Sequence, residues 1–300
     1  KSYSPFNQVR FNSDGSRLFL GIGRCTPQDF HVGERFEKSW KLKDSFSRKC
    51  IYVADGQLKK FKKIDLGAFA PCRCILPHPK NPNLVYASFS DGSIYKCSNA
   101  DQEKLSFDKL KLPQSFNGLQ CVRIDISPVN PNELLLIMYP VAESKFKAKK
   151  TKLFHAQLDG SNISAVEISP NVPYGIIKDA RWNPHNPKQV FVGVDARPSI
   201  MLTSEDGMKT FRRIPFPENL KYEEIPFYWS PSLFTFDRKS NMSMVRSLVG
   251  AWVSRDGFKN MKNLMMKYNP ETRQYGNKGV GAAECVDSIA ARDKYTYIGI

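Results

Sequence analysis

A turn of the form Pro-x-Asn-Pro occurs three times in this chain, each time at the same place in a longer repeated pattern. Proline fixes its own φ angle and removes a backbone donor, and asparagine supports a side-chain turn, so each copy ends a strand and reverses the chain. A β-branched and aromatic run, typical of a β-strand, follows every copy. The three copies lie at residues 79–82, 128–131 and 184–187.

The repeat predicts the fold class. Weaker copies start near Val9, Phe227 and Ser288, and the unit recurs roughly every 45–65 residues, which is the spacing of propeller blades. Asp-Gly pairs between alternating runs predict a further hairpin in most units. We therefore predict an all-β fold: a β-propeller of four-stranded antiparallel blades, with at least five blades and a partial sixth, as one domain over residues 1–300. The sixth unit has only two strands, which favours a longer natural propeller.

Individual strands follow from the same pattern. The first strands of five units are predicted near Cys72, Val122, Ala180, Phe227 and Ser288. In the fifth unit, residues 227–229 form the predicted first strand and residues 233–236 the predicted second strand, with the Ser-Pro pair at 230–231 as the turn between them.

The charge balance narrows the class of partner. Lys and Arg number 45 against 29 Asp and Glu, which gives a formal net charge of +16, and 41% of the residues are hydrophobic. This profile is that of a folded chain, and its charge favours an acidic partner such as a glycan, an acidic protein, a nucleic acid or an anionic membrane surface. No apolar stretch approaches the roughly 18 residues that a membrane-spanning helix needs.

Two short segments resemble the Asp-box, the S-x-D-G-G-x-T-W hairpin of sialidases, xyloglucan-cleaving enzymes and sortilin-type receptors. The first box spans residues 204–211 and the second box spans residues 254–261; in both the second glycine is replaced, by Met208 and Phe258. The aspartate is expected to accept backbone N–H bonds within its turn, and the glycine to take a positive φ, so the boxes are structural. Their matching residues are Ser204, Asp206, Gly207, Thr210, Phe211, Ser254, Asp256 and Gly257.

The resemblance to the sortilin-family propeller implies a receptor or scaffold that binds polypeptides in a secreted or lumenal setting. Two alternatives stay open: a glycan-active Asp-box enzyme of the sialidase or glucanase kind, and an intracellular scaffold similar to WD-repeat proteins that binds nucleic acid or ribonucleoprotein. No catalytic residue, metal ligand or cofactor is predicted, because acidic residues sit mostly in turns and the four histidines are scattered. We expect a binding protein rather than an enzyme.

Long connections are the predicted binding elements. Insertions at about 24–49 and 140–151 exceed what a hairpin needs, and both fall between the second and third strands of their units. Each mixes basic residues with aromatics, so we expect them to bind a polypeptide or another acidic macromolecule. The candidate ligand-binding residues are Lys145, Lys147, Lys149, Lys150, Lys152, Arg35, Lys38 and Trp40.

The cysteines leave the compartment open. Cys72 and Cys74 alternate within one predicted strand, so they are expected to face the same side as reduced core thiols. A disulfide between Cys25 and Cys50 is the alternative for a lumenal chain. Sequons at Asn162 and Asn241 permit glycosylation of a secreted glycoprotein.

Overall fold

The computed structural model describes most of the chain, and its secondary structure is almost entirely β-strand. The described residues contain no α-helix and a single 3₁₀ turn at Gln114–Phe116. No helix among them is long and apolar enough to cross a membrane. The described residues are 6–22, 48–141, 151–172, 175–196, 199–215, 231, 233–237, 240–247, 250–264, 266–269, 271, 274–277, 288–292 and 295–299.

Five antiparallel sheets of four strands follow one another along the chain, which confirms the predicted all-β class and is consistent with a propeller-like fold. The first sheet comprises β1 (Phe6–Phe11), β2 (Arg17–Ile22), β3 (Arg48–Asp55) and β4 (Phe61–Ala68). The second comprises β5 (Cys72–Pro77), β6 (Val85–Phe89), β7 (Ile94–Cys97) and β8 (Asp108–Lys109). The third comprises β9 (Leu119–Ile126), β10 (Glu133–Pro140), β11 (Lys152–Asp159) and β12 (Asn162–Glu167).

The later strands repeat this order. The fourth sheet comprises β13 (Ile176–Asn183), β14 (Asn186–Asp195), β15 (Ile200–Ser204) and β16 (Arg212–Ile214). The fifth comprises β17 (Leu233–Phe236), β18 (Ser243–Ser247), β19 (Gly250–Ser254) and β20 (Lys262–Asn263). Two hairpins follow, formed by β21 (Met266–Asn269) with β22 (Gln274–Asn277) and by β23 (Ser288–Arg292) with β24 (Tyr295–Gly299). Each Pro-x-Asn-Pro turn lies at the junction between the first and second strands of its sheet, as predicted.

The chain divides into two compact units. The first unit contains almost all of the first three sheets, and the second unit contains the fourth and fifth sheets and both hairpins. The first unit is residues 1–126, 131–147 and 154–166, and the second unit is residues 127–130, 148–153 and 167–300.

Within the first unit, successive sheets pack face to face. Strand β5 lies beside β1 and β9, so the first strands of the three sheets are neighbours. One face of the second sheet shares a buried core with the first sheet through Phe19 and Phe89, and its other face shares a core with the third sheet through Tyr86 and Leu136. Burial of each such side chain contributes about 1.5–3 kcal/mol, so stacking of the sheets holds this unit together.

The second unit repeats the arrangement. Strand β17 lies beside both β13 and β23, and the fourth and fifth sheets share a core. The four largest side chains of that core are Trp252, Phe191, Phe258 and Phe234.

A β-bulge recurs near the start of the first strand in four of the five sheets. The register shifts between Phe6 and Gln8 in β1 and between Ile177 and Asp179 in β13, and similar shifts occur in β5 and β9. In β5 the shift lies between Cys72 and Cys74, and it corrects the expectation that these thiols share a side. Cys72 packs in the core with the first sheet and Cys74 in the core with the third, because a bulge inserts one residue and breaks the alternation.

The fifth sheet differs from the prediction in its strand order. Strand β17, expected to be a second strand, is the first strand of its sheet, and β18 is the second. Residues 227–229, the predicted first strand, lie outside the described residues. The connecting turn is closed by the Asp237 N–H, which donates to the Met242 carbonyl, and by Ser240, which donates to the Asp237 carboxylate. That turn contains neither Asp-Gly nor Pro-x-Asn-Pro, so the repeat pattern did not predict a turn between β17 and β18.

Candidate binding face and box hairpins

The first box forms the hairpin between β15 and β16, the third and fourth strands of the fourth sheet. One Asp206 carboxylate oxygen accepts the backbone N–H groups of Lys209 and Thr210, each at 3.0 Å, and the other accepts the Thr210 hydroxyl at 2.6 Å. Ser204 Oγ donates to Asp206 at 2.8 Å and accepts the Met208 N–H at 2.9 Å. The hydrogen bonds from Thr210 and Ser204 hold the pKa of Asp206 well below its usual range.

The second box repeats this network between β19 and β20. Ser254 Oγ donates to Asp256 at 2.7 Å and accepts the Phe258 N–H at 2.9 Å. Asn260 stands where the first box has threonine, and its side-chain amide donates to Asp256 Oδ2 at 2.6 Å. Burial raises the pKa of Asp256, but the hydrogen bonds from Asn260 and Ser254 outweigh it, so the pKa is lowered. Each carboxylate is thus occupied within its own turn.

The residues that replace the second glycine are buried and left-handed. Met208 has φ +71° and Phe258 has φ +65°, next to glycines with φ of +73° and +71°. Phe258 is fully buried, with its ring centroid 4.9 Å from that of Phe191 in an edge-to-face contact. Phe258 therefore packs between the fourth and fifth sheets. At the final position of the two boxes, Phe211 is half-buried and Met261 packs at the margin of this core.

Both long insertions connect second strands to third strands, as predicted. The first lies between Ile22 and Arg48 and the second between Pro140 and Lys152. The predicted bounds reach slightly into the strands, because residues 48–49 belong to β3 and residue 140 belongs to β10. Seven of the candidate ligand-binding residues lie outside the described residues: Lys145, Lys147, Lys149, Lys150, Arg35, Lys38 and Trp40.

Lys152 is the candidate that the structure describes, and it is a strand residue. It begins β11, and its Nζ lies 2.7 Å from Glu167 Oε2 on β12. Both side chains are 40% exposed, so solvent screens this pair. Glu167 therefore compensates the charge of Lys152 locally, whereas the sequence predicted that Lys152 binds a ligand.

Lys49 lies directly after the first insertion and is buried. Its Nζ is 2.5 Å from Asp91 Oδ2 and 3.0 Å from Ser93 Oγ, in the turn between the second and third strands of the second sheet. The ammonium also lies 5.4 Å from the ring centroid of Phe89 and 5.3 Å from that of Tyr95. Burial raises the pKa of Asp91, but the hydrogen bonds from Lys49 and Ser93 outweigh it and lower the pKa. No motif in the sequence distinguishes Lys49 from exposed lysines such as Lys59 and Lys60.

The same turn approaches the start of the second insertion. Gly92 has φ +87°, and a Cβ at this position would lie 2.6 Å from the Leu119 carbonyl oxygen at the start of β9. The neighbouring Gly118 carbonyl accepts the Val141 N–H at 2.8 Å, directly before the second insertion. Contacts within the first unit thus join the end of the first insertion to the start of the second through one turn. We call the edge of the sheets that carries Lys49, Asp91, Gly92, Leu119 and Val141 the loop face.

The described residues form no metal site and hold reduced cysteines. No group of three or more His, Cys, Asp or Glu residues is placed to hold a metal ion in the described part of the chain. Cys50 is a buried, reduced thiol, and burial raises its pKa to about 11. Cys25, its partner in the disulfide considered for a lumenal chain, lies outside the described residues. The other buried, reduced cysteines are Cys72, Cys74, Cys97 and Cys121.

Two features therefore bear on function: the box hairpins of the second unit and the loop face of the first. Comparisons of the chain with protein-family models and with curated proteins find no match.

Proposed function

We propose that this chain is a non-enzymatic β-propeller that binds a polypeptide or polyanionic ligand through its loop face, as a receptor or scaffold. The packing within each compact unit supports the propeller. First strands lie side by side, and successive sheets share buried cores, which is how neighbouring blades contact each other.

The joined ends of the two insertions carry the proposal. Lys49, just after the first insertion, contacts Asp91, and the adjacent Gly92 lies against the start of β9. Directly before β9, the Gly118 carbonyl accepts the N–H of Val141, where the second insertion begins. The end of the first insertion and the start of the second are therefore connected on one edge of the first unit. A long connection on a rigid sheet scaffold is a common place for binding residues.

The charge of these segments indicates the kind of ligand. Residues 144–152 include five lysines, and the whole chain carries a formal charge of +16. Lys152 is paired with Glu167, which leaves the four lysines at 145–150 as the charged part of the loop. Clustered ammonium groups attract acidic partners at long range, and such binding weakens as salt is added.

The box hairpins support the same assignment in a different way. Their aspartates are fully engaged by their own turns, so they stabilise the hairpins and have no free oxygen for catalysis. The sortilin-family resemblance of the boxes, rather than their hydrogen bonding, favours a binding propeller in a secretory lumen, because sialidases carry the same structural hairpin.

Heparin binding with varied salt tests this function. We expect the triple variant Lys147→Ser, Lys149→Ser and Lys150→Ser to elute earlier from heparin and to show a flatter dependence of affinity on salt. A matched control removes three exposed lysines elsewhere, by Lys104→Ser, Lys109→Ser and Lys188→Ser.

The control separates the loop from total charge. If both triple variants lose affinity equally, binding follows net charge and the loop-face proposal is wrong. Screening the unmodified chain against a peptide library and a glycan array then distinguishes a polypeptide ligand from a polysaccharide.

A further inference from the structure

The fourth strand of the first sheet is unusual in length. Strand β4 has eight residues, whereas the fourth strands of the second, fourth and fifth sheets have two, three and two, and that of the third has six. Short outer strands are one means by which proteins prevent unwanted pairing at a sheet edge. The first sheet therefore ends in a longer edge than the others.

This edge is regular and is not paired further within the described residues. Strand β4 pairs with β3 in uninterrupted register from Phe61 to Asp65, and it is the last strand in the order of its sheet. Half of the backbone N–H and C=O groups of such a strand point away from its neighbour. Ile64 and Leu66 pack against the core shared with the second sheet, and the Leu66 carbonyl accepts the Tyr95 hydroxyl, so the strand is anchored. No described strand pairs with its outer edge.

The side chains at the start of this edge and in the turn before it are basic and apolar. Lys59 and Lys60 lie in the turn that leads into β4, Lys62 lies in β4 itself, and all three are exposed. Two apolar side chains accompany them, since Phe61 is 55% exposed and Leu58 is 45% exposed. The edge thus combines positive charge, apolar surface and backbone hydrogen-bonding groups.

Among the described residues, no carboxylate forms an ion pair with Lys59, Lys60 or Lys62. Asp65 is paired with Arg48 at 2.9 Å, and Asp55 accepts the backbone N–H of Lys59 rather than its ammonium group. Lys62 donates to the Glu103 backbone carbonyl, which carries no net charge. A second copy of this chain is a poorer partner than an acidic segment, because its own β4 contributes Lys62 and Lys63 and its single carboxylate, Asp65, is already paired with Arg48.

We propose that the open edge of β4 binds an extended acidic segment of a partner polypeptide, which adds to the first sheet as a fifth strand. The partner's carboxylates face Lys59, Lys60 and Lys62, and an apolar side chain of the partner contacts Phe61. Backbone hydrogen bonds supply affinity and the lysines select acidic segments over neutral ones. This surface is separate from the loop face.

A labelled peptide of alternating Glu and Val, eight residues long, is a direct probe for fluorescence anisotropy. We expect it to bind the full chain, and we expect Lys59→Ser, Lys60→Ser and Lys62→Ser together to weaken it by about tenfold. The same peptide N-methylated at its central residues keeps its charges but cannot donate backbone hydrogen bonds, and we expect a similar loss.

Further measurements distinguish strand addition at β4 from binding at the loop face and from charge attraction alone. The Lys147→Ser, Lys149→Ser and Lys150→Ser variant is expected to bind the peptide normally, so failure of the loop-face proposal leaves this one standing. Backbone amides of β4 are expected to gain hydrogen-exchange protection when the peptide binds. Equal binding of the N-methylated peptide, or unchanged exchange in β4, would overturn strand addition in favour of charge attraction alone.

Discussion

Lys49 Nζ lies 2.5 Å from Asp91 Oδ2, and this ion pair joins the start of β3 to the turn between β6 and β7. The Lys49 side chain is 6% exposed and that of Asp91 is 42% exposed, so the pair lies at the edge of the core. The contact connects the first and second sheets where the first insertion returns to its strand.

Replacing Lys49 with Met tests this contact. Lys49→Met keeps an unbranched apolar stem but leaves Asp91 without its cation, so we expect a loss of about 1–2 kcal/mol in the free energy of unfolding after solvent screening. Urea unfolding measures the change. The control Arg48→Met removes the neighbouring exposed pair with Asp65 and is expected to cost less. Equal losses would show that burial adds nothing to the Lys49 contact.

Phe258 and Leu58, two non-glycine residues with positive φ, should respond oppositely to replacement by glycine. Phe258→Gly relieves a left-handed backbone but removes a fully buried ring, so we expect a net loss of about 3 kcal/mol. Leu58→Gly relieves the same kind of strain at a residue that is 45% exposed, so we expect a gain of up to about 1 kcal/mol. Thermal unfolding measures both; a stabilising Phe258→Gly would contradict the proposed packing of this ring between sheets.

Alanine substitutions at Gly92 and Gly118 distinguish the cost of backbone strain from the cost of a steric clash. Both have positive φ, +87° and +71°, so alanine strains the backbone at either position. A Cβ at Gly92 would lie 2.6 Å from the Leu119 oxygen, whereas nothing lies within 4 Å at Gly118. We expect Gly92→Ala to be more destabilising than Gly118→Ala by about 1–3 kcal/mol in chemical denaturation. Similar losses would mean that the turn and β9 are not in close contact.

The first box should make stability depend on acidity. The pKa of Asp206 is lower in the folded chain than in the unfolded chain, so its hydrogen bonds stabilise the fold above the unfolded pKa of about 4. This contribution is lost as pH falls toward the folded pKa. We expect Asp206→Asn to be less stable than the unmodified chain at pH 7 and to approach it at pH 2, as followed by urea midpoints. A pH-independent difference would assign the effect to shape rather than to charge.

Local sequence chemistry determined the strands, the hairpins and the box turns. Proline, asparagine and Asp-Gly pairs act through their own dihedral angles and side-chain hydrogen bonds, so their effect on the chain can be predicted from a few neighbouring residues. The Asp206 network is of this kind, since all its partners lie within four residues. The class of fold and the position of both insertions followed from the same signals.

Packing between sheets decided the features that these local signals cannot predict. The bulge that places Cys72 and Cys74 in different cores, the burial of Lys49 beside Asp91, and the use of Phe258 as the ring between sheets depend on residues far apart in the chain. A bulge changes which face a side chain takes without changing the composition of its strand. These features arise only when neighbouring sheets meet, because their energies come from contacts that no single repeat possesses.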